Sequence, residues 1–259
     1  MARLDDAYAN SAHIPDGERF YGRWEAAAAR FRRSHALGET DVAYGALPRQ
    51  TYDIFFPDRL SLGTVVFLHG GYWMAGSPSM FSHLAAGICA AGYACAMPGY
   101  TLSPEASISQ IVQEAALSVA AIAARTTGPI FLAGHSAGGH LAARLGCADM
   151  EQDWSTRVAR IMPISPLGDL SPLMETSMND TLRLTAQEAQ AQSPVGHPAP
   201  RAPVHIWVGD AERPVFLEQA RGLQAAWDCD LTVEARRHHF DVIEGLEQAR
   251  SPMLDALFS

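Results

Sequence analysis

The sequence predicts an α/β protein in which a mostly parallel sheet carries helices on both faces. Two observations lead there. From residue 64 onward, short apolar runs alternate with helix-like segments, the pattern of repeated strand–helix–strand units. The runs are near-continuously apolar rather than alternating, as strands covered on both sides must be. A chain of 259 residues, 48% of them hydrophobic, can bury one large core. A single domain over residues 1–259 is therefore the simplest organisation.

The elements follow in order. Residues 18–33, "ERFYGRWEAAAARFRR", place Phe20, Trp24, Ala27 and Phe31 on one helical face, so a helix packed on the domain body is expected. "DVAYG" and "TYDIFF" read as short strands, an antiparallel hairpin at the sheet edge. Strands are then expected at 64–70, 93–98, 129–134, 160–165 and 203–209, with a weaker one at 231–235. Helices are expected at 79–91, 108–125, 137–149, 214–228 and 239–249. Right-handed crossovers would set the strand C-termini along one edge, where ligands bind in such sheets. The connection over about 166–202 is unusually long, and long connections in compact domains are commonly functional. It is expected to form a small helical cap over the strand ends.

Composition excludes several functions. The formal net charge is −9 and no basic block stands out, which argues against nucleic-acid and anionic-membrane partners. All 19 basic residues are arginine, so no Schiff-base or phosphate-loop lysine exists. Cys89, Cys95, Cys147 and Cys229 form no Cys-x-x-Cys pair and read as buried free thiols, consistent with a reducing, cytoplasmic setting. "MARLDDAYAN" lacks the apolar core of a secretion signal, and no apolar run has the length of a membrane span. The oligomeric state is left open, a homodimer being one option.

The chemistry centres on "FLAGHSAGGHLAARL", in which Ser136 stands between Gly134 and Gly138. A tight strand-to-helix turn pushes its central side chain above the sheet edge, and only glycine fits on either side. The helix that follows turns its N-terminus toward developing negative charge. "HGGYW", directly after an earlier strand, supplies candidate oxyanion donors in the N–H groups of Gly71 and Tyr72, joined by that of Ala137. His69 reads as structural.

A serine hydroxyl needs a base. On a strand-to-helix turn of this kind the partners follow in the order serine, acid, histidine. "RHHFDV", after the last strand, offers His239 in preference to His238. "VGDAERPVF" offers two acids, Asp210 and Glu212. Glu212, three residues beyond the strand-end glycine, is preferred, with Asp210 as the rival. Trp73 and Tyr100 are candidates for an aromatic pocket wall, or else pack the loop. His135 and His140, five apart, share no helical face, and no other cluster has metal-ligand spacing. "GHSAGG" also fails the dinucleotide fingerprint, so neither metal nor cofactor is expected.

"HGGYW", "GYTLSPE", "GHSAGGHLAA", "DLSPLMETSMN", "VGDAERPVF" and "HHFDVIEGL" together resemble the α/β-hydrolase family of kynurenine formamidases (arylformamidases) and their bacterial esterase-like relatives. The resemblance runs from about residue 17 to 250. It implies an α/β-hydrolase fold with Ser136 as nucleophile, His239 as base and the carboxylate at Glu212 as acid. It also implies a small-molecule substrate, N-formylkynurenine first among aryl amides and esters. Two departures stand out: glutamate at 212, where the family often has aspartate, and Gly168, where relatives tend to carry an aromatic residue.

Overall fold

The computed structural model describes residues 4–259; residues 1–3 of the single unit expected over 1–259 lie outside the described residues. The chain opens with a short helix, α1 (Asp5–Tyr8), then α2 (Arg19–Ser34), and the hairpin β1 (Gly38–Ala43) and β2 (Thr51–Phe55). Next come β3 (Thr64–Leu68), α3 (Pro78–Phe81), α4 (Ala85–Ala91), β4 (Ala94–Pro98), α5 (Ile108–Arg125), β5 (Ile130–His135), α6 (Ala137–Leu145) and β6 (Val158–Ile164). The long connection holds α7 (Asn179–Leu182) and α8 (Ala186–Gln192), and β7 (His205–Gly209), α9 (Pro214–Trp227), β8 (Asp230–Glu234) and α10 (Pro252–Phe258) complete the chain.

The eight strands form one sheet in the order β1-β2-β4-β3-β5-β6-β7-β8. β1 and β2 pair antiparallel at one edge and β2 meets β4 antiparallel; the neighbours from β4 to β8 run parallel. Strand alternation divides the core into two layers. Val66, Leu68 and Leu132 pack against Ile111, Val112 and Leu141, from α5 and α6. Val65, Phe67 and Phe131 join the opposite layer, with Trp24 of α2, Ile88 of α4 and Leu257 of α10. Both faces are thus covered, and β3 and β5 are buried along their whole length.

α2 buries Phe20, Trp24 and Ala28; of the expected face, Phe20 and Trp24 are buried while Ala27 and Phe31 are half-buried. α5 is closed at its start by a capping box in which Ser107 accepts from Gln110 N–H and the Gln110 side chain accepts from Ser107 N–H. One expected helix is absent. Residues 239–249 form a 3-10 turn over Val242–Glu247, and a separate α10 begins at Pro252. Val242, Ile243 and Leu246 are buried at helical spacing, which explains the expectation. The restart signal is Ser251-Pro252: Ser251 Oγ accepts from Leu254 N–H and donates to the Gly245 carbonyl, fixing a new N-terminus. No helix among the described residues is long and apolar enough to cross a membrane.

Candidate active site

β5 ends at His135 and α6 begins at Ala137, leaving Ser136 alone to make the turn. Its backbone sits at φ 57° and ψ −117°, a strained conformation for a residue with a side chain. The flanking glycines make the turn possible. A Cβ on Gly134 would lie 2.1 Å from the Gly138 carbonyl oxygen, and one on Gly138 would lie 1.9 Å from that of Leu68. The turn is pinned by Ser136 N–H donating to the Ile164 carbonyl at 2.8 Å.

His239 stands beyond β8, and its Nδ1–H donates to Glu212 Oε2 at 2.6 Å. The Glu212 side chain is closed off from solvent. Its other oxygen, Oε1, accepts from Gly209 N–H at 2.9 Å and from Ser165 Oγ at 2.5 Å. A carboxylate held by three donors keeps a fixed orientation and so fixes the imidazole ring. The rival Asp210 is turned elsewhere, accepting from Arg236 N–H at 2.5 Å. His238 also faces away: its Nδ1 accepts from the N–H groups of Phe240 and Asp241, closing the turn that carries its neighbour.

Ser136 and His239 open into one cavity of about 370 Å³, together with Gly70, Gly71 and Tyr72. Gly71 (φ 113°) and Tyr72 (φ 51°) both adopt positive φ, which turns the loop after β3 back on itself. Among the described residues, the N–H groups of Gly71, Tyr72 and Ala137 have no acceptor. His69 holds the base of this loop. It stacks on Tyr100, with centroids 4.4 Å apart, and its Nδ1–H donates to the Gly70 carbonyl. Burial holds its pKa down at about 4, so it stays neutral.

Trp73 and Tyr100, candidates for the pocket wall, are fully buried and line no part of this cavity. Tyr100 donates to the His69 carbonyl and Trp73 packs edge-on against His140, so both serve the loop's packing. The wall comes instead from residues 8–12 and from Glu18, Tyr21 and Trp24, with Met80, Phe81 and Phe240. No residue of 166–202 lines it; that insertion forms short helices, of which α8 packs on α5. The N-terminal segment is tied down by Tyr72, whose hydroxyl donates to the Tyr8 carbonyl at 2.8 Å. Polar, irregular sequence at 8–18 gave no sign of this role. Ser165 and His135 both contact the Glu212–His239 pair, and the local sequence carries no signal for either contact.

Among the described residues, one His/Cys/Asp grouping could hold a metal: Cys147, Asp149 and His197. Arg144 already grips both Asp149 oxygens at 2.8 and 2.5 Å, and burial pushes the Cys147 thiol up to about 11. The grouping is an ion pair with a protonated thiol beside it, away from Ser136.

A doubly covered sheet with a serine turn at a strand end and, in the same cavity, an imidazole backed by a buried carboxylate defines a hydrolase of esterase type. The chain belongs to the alpha/beta hydrolase fold family, whose model matches residues 65–212. Among solved structures it is similar to a candidate thioesterase from Silicibacter sp., with 44% identity, a TM-score of 0.96 and 99% of each chain covered. Esterase B of Lactobacillus rhamnosis, 21% identical with a TM-score of 0.66 over 93% of this chain and 94% of that one, shares the fold. The kynurenine formamidase of Salmo salar is 27% identical over 83% of this chain and 79% of its own length. That of Danio rerio is 30% identical over 62% of this chain, which spans 58% of the length of that relative.

Proposed function

We propose that this hydrolase cleaves a small acyl group from an aryl amide or ester, with N-formylkynurenine as the leading substrate. The observation that carries the reading is the 2.6 Å contact with buried Glu212 that backs His239, whose ring lines the cavity that Ser136 enters. Ser136 Oγ attacks the acyl carbon as His239 Nε2 takes its proton, and Glu212 stabilises the imidazolium. The N–H groups of Gly71, Tyr72 and Ala137 receive the oxyanion. Collapse of the tetrahedral intermediate breaks the bond to the leaving nitrogen or oxygen, which His239 protonates. Water, deprotonated by His239, then releases the acid and restores Ser136. The formamide assignment draws on the two fish relatives, and a cytoplasmic location on the four free cysteines.

A thioesterase or general carboxylesterase is the second reading, supported by the similarity to the Silicibacter protein. Catalytic efficiency on N-formylkynurenine, on short aryl esters and on acyl thioesters separates the two. An advantage of several orders of magnitude for the esters or thioesters overturns the formamidase reading. Ser136→Ala is expected to abolish turnover of all three; retained activity refutes the serine mechanism.

A further inference from the structure

The cavity over Ser136 has a charge character of its own. Its outer wall is aromatic: Tyr21, Trp24 and Phe240 meet edge to face, with centroids 5.4 to 5.9 Å apart. No arginine lines it, in a chain that has no lysine. Glu18 lines it, is exposed, and has no ion pair or hydrogen bond among the described residues.

The nearby cations are engaged elsewhere. Arg19 and Arg23 face Asp16 at 3.5 and 4.0 Å, and the Arg23 guanidinium also lies over Phe20. His135 is kept neutral by burial, and Glu212 sits against His239.

A second observation points the same way. Asn10 is only 5% exposed, yet its Oδ1 has no partner, and neither does the enclosed Oγ of its neighbour Ser11. The Asn10 amide nitrogen is directed at the Tyr72 hydroxyl, 3.4 Å away, and that hydroxyl spends its proton on the Tyr8 carbonyl. This order leaves Oδ1 as an unfilled acceptor. A buried acceptor without a partner is costly, so the Asn10 side chain, which lines the cavity, gains by turning Oδ1 toward a donor bound there. A carboxylate, an orphan amide oxygen and aromatic faces together suit an ammonium group, through ion pairing and cation–π contact.

We propose that this cavity selects substrates bearing an ammonium group and rejects those whose corresponding group is anionic, with Glu18 as the specificity-determining residue. This rests on the hydrolase reading above and names the class of substrate it acts on. An amino-acid substrate would then bind through its amine, with its carboxylate directed to solvent. The test uses three phenyl acetates that differ only in a para side chain: propyl, 3-aminopropyl and 2-carboxyethyl. In the unaltered protein, kcat/KM is expected to be at least tenfold higher for the cationic than for the anionic ester. Glu18→Gln is expected to shrink that ratio at least fivefold, a comparison in which any change common to all substrates cancels. Binding of 3-phenylpropylamine and 3-phenylpropionate to Ser136→Ala, by calorimetry, reads the same preference without turnover. Loss of hydrolysis with the amine still preferred in binding would sink only the hydrolase reading. Equal efficiency for the charged esters, equal binding of the two ions, or a ratio unmoved by Glu18→Gln would overturn the selection.

Discussion

His135 and His239 are joined ring to backbone: His135 Nε2–H donates to the His239 carbonyl at 2.8 Å, and their rings lie 4.6 Å apart. The residue before the serine thereby anchors the loop that carries the imidazole. Burial and the neighbouring His239 hold the His135 pKa well below its ordinary value, so no second cation competes with an imidazolium at His239. His135→Phe keeps bulk but removes the donor. Misplacing His239 in this way should lower kcat roughly tenfold to a hundredfold, with KM changed little. His135→Gln, which retains an N–H donor, should recover part of the loss. Steady-state kinetics on one aryl ester decide it; a variant that changes only KM, or a glutamine no better than phenylalanine, contradicts the anchoring role.

The two acids near β7 make opposite predictions. Glu212→Gln keeps the shape but loses the charge facing Nδ1, and should cost roughly 10²–10⁴ in kcat. Asp210→Asn should stay within about threefold, because Asp210 only receives the Arg236 amide. A larger loss at Asp210 than at Glu212 would reverse the assignment.

What the sequence revealed and what it hid have physical reasons. Gly134, Ser136 and Gly138 were legible because sterics leave one residue type at each glycine position. Glu212 was legible only as one of two acids, since the direction a side chain takes off a loop depends on its partners. Those partners, Ser165 Oγ and Gly209 N–H, meet it only once β6 and β7 lie side by side. The strands from β3 to β7 announced themselves by apolarity, and half-exposed β8 only weakly. Residues 8–18 cover the site through the Tyr72–Tyr8 bond and aromatic packing, and such long-range contacts leave no local pattern.

Two glycine substitutions should differ in sign. Gly138→Ala forces a Cβ to within 1.9 Å of the Leu68 carbonyl, backbone that cannot yield without moving β3. It should cost at least about 3 kcal/mol and remove activity. Gly22 lies within α2 with nothing inside 4 Å of its would-be Cβ. Gly22→Ala should add roughly 0.5–1 kcal/mol through helix propensity. Urea unfolding of both variants tests the pair, and a Gly138→Ala protein as stable as the parent would show the turn to be less constrained than the contacts imply.

Stability should fall as the solution is acidified from about pH 6.5 towards 4. His69, His83 and His140 are each held at about 4, in every case chiefly by burial, against about 6.5 in an unfolded chain. Their folded pKa values are lowered, so between those limits the unfolded chain binds protons that the folded chain refuses. The stabilisation is therefore complete above about pH 6.5 and drains away as the pH drops, each histidine adding up to about 1.4 kcal/mol per pH unit. His140 donates from Nε2 to the Gln192 carbonyl at 2.7 Å, while its Nδ1 is buried without a partner. His140→Gln supplies an amide donor that does not titrate. It should lower stability at pH 7.5 through lost packing against Trp73, yet flatten the decline between pH 6.5 and 5. Urea midpoints across that range read both effects. An unchanged slope in the variant would mean that His140 takes up its proton without unfolding the protein.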